Sequence, residues 1–203
     1  STLSGQTVAN QGSGGTYPLT ITNGTGGFSS VNPFSGNGCF LGNDGTAMHY
    51  LSNTSFSLSN VNGYTIAFWA NSASAGDTYI NLTNTGGNSI TLSALNSTTL
   101  QLAWTGGTNS TNFSLAGNSL SGSAYYHIAL TVSATYGSAN SALCALFING
   151  TQVGDSTLIT YSNLSVFTSI YVGRNYNGRI DQLKIFVCGF TTDQVLHLFR
   201  QFS

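Results

Sequence analysis

Short β-rich runs bounded by clusters of Gly, Asn and Ser recur along the chain, the pattern of a sandwich or jelly roll. Strands are predicted at 19–22, 65–70, 79–82, 89–92, 100–104, 126–132, 142–148, 170–172 and 180–187. In 126–132, Tyr126, Ile128, Leu130 and Val132 fall on one face, as a two-residue period requires. The run Thr65-Ile66-Ala67-Phe68-Trp69-Ala70 is apolar on both faces, which predicts a central buried strand. Asn149-Gly150 separates Leu146-Phe147-Ile148 from Thr151-Gln152-Val153. That pair tolerates the positive φ of a type I′ turn and predicts a hairpin. One helix of about two turns is expected near the end. Thr191 or Thr192 would cap it, with Gln194 in capping-box spacing from Thr191, and Val195, Leu196, Leu198 and Phe199 would pack it onto a sheet.

Residues 1–17 break the pattern. They hold few large apolar side chains and a Gly-Ser-Gly-Gly hinge, and read either as a loose terminus or as an arm that adds a strand to a neighbouring molecule. The remainder, 18–203, reads as one domain with one core.

Composition sharpens this picture. Hydrophobic residues make up 40% of the 203, enough to fill a core, whereas charged residues make up only 4%. Glu is absent, and Arg174, Arg179, Lys184 and Arg200 are all the cations. No basic patch exists to neutralise many phosphates, which argues against nucleic acid. No polybasic segment serves an anionic membrane, and no apolar run is long enough to insert. The polar surface is therefore Ser, Thr, Asn and Gly, and a net charge of -1 gives little colloidal repulsion. The chain starts at Ser1 without Met, as expected of a processed N-terminus or of a piece of a longer chain.

Glycosylation would supply the missing hydration. Asn-x-Ser/Thr acceptors occur at Asn23, Asn53, Asn81, Asn96, Asn109, Asn112, Asn149 and Asn163, a mild excess over the roughly six that composition alone would give. Asn149, at a hairpin tip, is expected to be accessible. Covalent N-glycans and an extracellular or cell-surface location are expected together.

Seven segments in order carry a family resemblance. Leu41-Gly42-Asn43-Asp44-Gly45-Thr46 with Tyr50-Leu51 is similar to an early strand pair, although Asn43 stands where an aromatic is usual. Tyr64-Thr65-Ile66-Ala67-Phe68-Trp69, Tyr126-His127-Ile128-Ala129-Leu130-Thr131 (Tyr126 in place of Trp) and Leu146-Phe147-Ile148-Asn149-Gly150 follow. Ser169-Ile170-Tyr171-Val172-Gly173, the stretch 177–186 around Gly178-Arg179-Ile180-Asp181, and Thr192-Asp193-Gln194-Val195 complete the set. From about Pro33 to Phe202 the chain resembles the concanavalin A-like, laminin-G/pentraxin-type superfamily. The resemblance implies an all-β, two-sheet antiparallel jelly-roll sandwich with one short C-terminal helix. It implies that the first and last strands are neighbours. On that basis Cys39 and Cys188 are expected to be bridged, leaving Cys144 as a buried thiol. Function is not implied, because this scaffold hosts many.

Candidate chemistry is sparse. Glucanases of this superfamily use paired acidic residues, whereas here no two Asp lie within ten residues of each other, so hydrolysis is disfavoured. His49, His127 and His197 are scattered and read as structural. No cofactor is expected. Calcium is the one alternative, through Asp44 with Asn43, or Asp77. Glycan contact would need an aromatic platform beside amides. Trp104, before Gly106-Gly107, is the exposed candidate; Tyr176 between Asn175 and Asn177 is a loop-rim candidate; Trp69 reads as core. Two functions follow as expectations. The first is a non-enzymatic structural subunit that packs with copies of itself into a fibre or coat, residues 1–17 docking on a neighbour. The alternative is a glycan-binding lectin or adhesion module.

Overall fold

The computed structural model describes residues 7–8, 19–22, 28–29, 39–41, 50–55, 57–58, 63–104, 109–115, 117, 119–120, 124–134, 141–160 and 166–201. In chain order the strands are β1 (Thr7–Val8), β2 (Leu19–Thr22), β3 (Phe28–Ser29), β4 (Cys39–Leu41), β5 (Tyr50–Asn53), β6 (Tyr64–Asn71), β7 (Thr78–Thr83) and β8 (Ser89–Asn96). They continue with β9 (Thr99–Trp104), β10 (Asn109–Ser114), β11 (Tyr125–Ala134), β12 (Ser141–Ile148), β13 (Thr151–Thr160), β14 (Ser169–Val172) and β15 (Arg179–Phe186), followed by α1 (Thr192–Gln201).

These strands form two antiparallel sheets. One holds eight strands in the order β1-β2-β5-β14-β7-β8-β9-β10; the other holds seven, β13-β12-β11-β6-β15-β4-β3. The sandwich and the C-terminal helix are those the sequence implied. Between the sheets lies the main core, with Ile66, Phe68, Leu82, Leu92, Leu102, Ile128, Leu130 and Ile170 almost fully buried. Strict alternation explains the eight-stranded sheet: Ile90, Leu92 and Ala94 point inward from β8 while Ser89, Thr91 and Ser93 stay partly exposed.

The seven-stranded sheet is covered on both sides. All eight residues of β6 are buried, as the doubly apolar run predicts. Its outward-facing Ala67 joins Ala129, Ala145 and Phe147 in a second cluster under Val195 and Leu198 of α1. The helix is closed at its start by a reciprocal cap. Thr191 N–H donates to Gln194 Oε1 at 2.8 Å, and Gln194 N–H donates to Thr191 Oγ1 at 3.4 Å. Ten residues long, it runs nearly three turns rather than two.

The Asn149-Gly150 hairpin forms as expected, with φ of 51° and 76° and Ile148 opposite Thr151. Its tip is not free. A Cβ built on buried Gly150 would stand 3.0 Å from both Leu196 and Phe199, so α1 lies over the turn. Asn149 is half-buried, its Oδ1 accepting from His127 N–H at 2.9 Å. The accessible acceptor expected at this tip is thus tucked beneath a helix.

β4 and β15 are neighbours, as the resemblance implied, yet the bridge expected between Cys39 and Cys188 is not formed: Cys188 is an exposed free thiol. Register gives the reason. Arg179 faces Leu41 and Ile180 faces Phe40, so Cys39 falls opposite position 181. Cys188 is a further seven residues along, roughly 20 Å away at about 3.3 Å per residue, beyond any disulfide span. Cys144 is buried, and burial pushes its thiol pKa up. Thr7–Val8 pairs with β2 of its own chain, Thr7 opposite Thr20, so this part of the 1–17 segment is an edge strand of the domain.

Candidate functional site

The outer face of the eight-stranded sheet is where the polar alternate positions converge. Register aligns Ser52, Tyr171, Asn81, Thr91, Ala103 and Ser110 in one row across β5, β14, β7, β8, β9 and β10. Five strand spacings of about 4.8 Å make this row about 24 Å long. A second row places Gln101 between Ser93 and Asn112. The side chains bond to one another: Asn81 Nδ2 donates to Thr91 Oγ1 at 2.7 Å, and Gln101 Nε2 to Asn112 Oδ1 at 3.1 Å.

At the β5–β14 end the face turns aromatic. Tyr50 and Tyr171, both partly exposed, place their ring centroids 5.9 Å apart at an interplanar angle of 56°. Above them stands exposed Arg174, its guanidinium carbon 5.7 Å from the Tyr171 centroid and 6.0 Å from that of Tyr50.

Arg174 is carried by the loop after β14, and that loop is pinned at several points. Gly173 N–H donates to Tyr79 O at 2.9 Å, and Tyr176 N–H closes the turn onto Gly173 O at 3.2 Å. Asn175 holds a left-handed φ of 58°. Tyr176 is fully buried, its hydroxyl donating to Asn71 O at 2.8 Å and its ring packed on Tyr79 at 5.1 Å. Gly178 leaves the room for that hydroxyl; a Cβ there would meet it at 2.5 Å. Burial first, then the nearby Tyr79 and Asp77, pushes the Tyr176 pKa well up, so it remains a neutral donor.

These positions revise the glycan contacts expected from sequence. Tyr176 is not on a rim; it is the buried bolt of the loop, while Asn175 and Asn177 on either side of it are exposed. Trp104 is 6% exposed because it shares the inward parity of Leu100 and Leu102. Trp69 is buried, as expected, but under the helix, with Phe199 and His127 against it at 5.8 and 5.3 Å. The residues that do meet on the face, Tyr50, Tyr171 and Arg174, were not singled out. Tyr171 was legible as the outward position between buried Ile170 and Val172.

Asp77 is 3% exposed and ties two loops together, its Oδ2 accepting from Ser74 N–H at 2.7 Å and its Oδ1 from Asn177 N–H at 3.0 Å. Its two oxygens thus accept from backbone donors, an arrangement that ties the Arg174 loop to the turn at Ser74. Among the described residues no three His, Cys, Asp or Glu side chains group to hold a metal. Asp181 Oδ1 accepts from Gln182 N–H at the β15 bulge, a local backbone cap. Asp44, His49, Asn23 and Asn163 lie outside the described residues. Of the other acceptors, Asn96, Asn109 and Asn112 are exposed, while Asn53 and Asn81 are partly so. Away from this face, a depression of about 380 Å³ is lined by Phe186 of β15, by Phe190, and by Asp193, His197 and Leu198 of α1.

The family model described as the concanavalin A-like lectin/glucanases superfamily, of laminin G type, matches residues 43–196. The chain belongs to that superfamily. No curated protein sequence matches it. Among solved structures, the binding domain of botulinum neurotoxin serotype D/C is similar at a TM-score of 0.59 and 16% identity, over 96% of this chain and 51% of that one. Botulinum neurotoxin type C, whose cell entry depends on interaction with two ganglioside molecules, is similar at 0.60 and 16%, over 99% and 52%. The neurotoxin DC binding domain in complex with SialylT gives 0.60 and 15%, over 99% and 52%. The chain spans about half the length of these neighbours, and at such identity the likeness is one of fold. Among the described residues no helix is long and apolar enough to cross a membrane.

Proposed function

We propose that this protein is a non-catalytic, extracellular carbohydrate-binding module, and that it takes sugar on the outer face of the eight-stranded sheet. The observation that carries this reading is the Tyr50–Tyr171 pair, with Tyr171 in register with Asn81 and Thr91. Tyrosine rings offer apolar area to the C–H face of a pyranose, while neighbouring amides and hydroxyls exchange hydrogen bonds with its hydroxyls. The row of amides and hydroxyls suits the hydroxyls of a saccharide, since little charge must be desolvated along it on binding. Solved neighbours that engage gangliosides or SialylT make saccharides the first ligand class to try. Non-catalysis is supported by chemistry: Glu is absent, and buried Asp77 is engaged with backbone donors.

A glycan array probed with the wild type and with Tyr171→Ala tests the reading. Wild-type binding to a defined set of glycans, lost on the substitution, is expected. Binding that survives Tyr171→Ala moves the site elsewhere. The proposal also constrains modification, because an N-glycan on Asn81 would cover the face; Asn81 is expected to be unoccupied even where exposed Asn96, Asn109 and Asn112 carry glycans.

Self-association is the second reading. It is favoured by Leu143 and Leu158, a cross-strand pair 44% and 53% exposed beside the sheet edge that β13 forms.

A further inference from the structure

Arg174 adds something the neutral row does not need. The chain has four cations, and three belong to the other layer: Arg179 and Lys184 to β15, Arg200 to α1. Arg174 is therefore the one Lys or Arg at the aromatic end of this face. Among the described residues its interactions are with the two tyrosine rings and with no carboxylate. The loop that carries it is pinned by Tyr176 and Asp77, so the guanidinium is presented from a rigid base.

We infer that this site selects acidic saccharides, with Arg174 receiving one sugar carboxylate beside the Tyr50–Tyr171 pair. The inference rests on the carbohydrate-binding reading above and names its ligand class. Stacking fixes the plane of a guanidinium and leaves its edge N–H groups for a planar carboxylate, which accepts two parallel hydrogen bonds. A single cation also sets the number of charges the site can take. Highly sulfated polymers bind through many cations at once, and this face has one, on a protein of net charge -1. One carboxylate per recognised unit fits; a dense polyanion does not. Sialic acids and uronic acids both supply that group.

Matched acid and ester pairs test this. Sialyllactose and tri-galacturonate, their methyl esters, and heparin are titrated by surface plasmon resonance against the wild type, Arg174→Gln, Arg174→Lys and Tyr171→Ala. For one acid or both, the free acid is expected to bind at least about tenfold more tightly than its ester, the difference a charge-assisted bidentate contact provides. Arg174→Gln is expected to erase the difference between acid and ester, Arg174→Lys to keep part of it, and both variants to retain the wild-type melting temperature. Which acid responds distinguishes the two sources. Equal binding of acid and ester by the wild type, still abolished by Tyr171→Ala, overturns the carboxylate assignment and leaves the sugar site standing. Arg174-dependent binding to heparin above either acid overturns the single-carboxylate argument. Absence of binding by acids and esters alike overturns the acidic-saccharide assignment, while an empty glycan array overturns the sugar site itself.

Discussion

His127 shows how one side chain can tie stability to pH. It is 3% exposed, its ring packs against both Trp69 and Phe199, and its Nδ1 has no hydrogen-bond partner among the described residues. Burial first, and Lys184 second, lower its pKa from 6.5 to about 4. The unfolded chain therefore takes up the proton before the folded one does. Full stability holds above pH 6.5 and is lost as the pH falls toward about 4. The loss approaches about 3 kcal/mol, at 1.36 kcal/mol per pKa unit. Urea denaturation across this range is expected to show that decline, and His127→Phe to flatten it; an unchanged decline would assign it to the carboxylates. Tyr176→Phe is expected to cost about 1 kcal/mol by stranding Asn71 O, measured by the same method. Cys188 is expected to alkylate in the native protein and Cys144 only after unfolding, whereas a peptide linking Cys39 to Cys188 in a non-reducing digest would contradict the fold's register.

Among the elements, those with two apolar faces or a turn pair were legible. β6 declared itself through Ile66, Phe68 and Trp69, β11 through its two-residue period, and the β12–β13 turn through Asn149-Gly150. β10 was not legible, because Phe113 is its lone buried side chain and the rest reads as loop. Parity separated Trp104 from the surface: its alternation with Leu100 and Leu102 was in the sequence, but the following glycines suggested an exposed end. Cys39 and Cys188 failed for a different reason, since adjacency of strands does not fix which residues face each other. The Tyr50–Tyr171–Arg174 grouping joins residues more than a hundred positions apart, and only the order of strands in the sheet brings them together. The packing of α1 over the hairpin makes a further prediction. Gly150→Ala is expected to lower stability by about 1–3 kcal/mol, because its positive φ and the nearby Leu196 and Phe199 both disfavour a Cβ. Thermal unfolding checks this, and a neutral result would mean that the helix does not sit on the turn.

At the scale of the whole molecule, low charge leaves two surfaces in competition: the polar face that suits a sugar, and the Leu143–Leu158 pair beside the β13 edge that suits a second copy. Sedimentation of the wild type and of Leu158→Asp separates them. A monomer in both cases favours the sugar-binding module, and a wild-type oligomer dissolved by Leu158→Asp favours assembly through that edge. The central claim is the location of the sugar site, and backbone amide NMR of the isotope-labelled protein, titrated with the strongest ligand from the glycan array, reads it directly. Shifts confined to 50–53, 80–83, 90–93 and 169–175 are the expected result. Shifts centred instead on Phe186, Phe190 and His197, in the depression beside α1, would contradict the account.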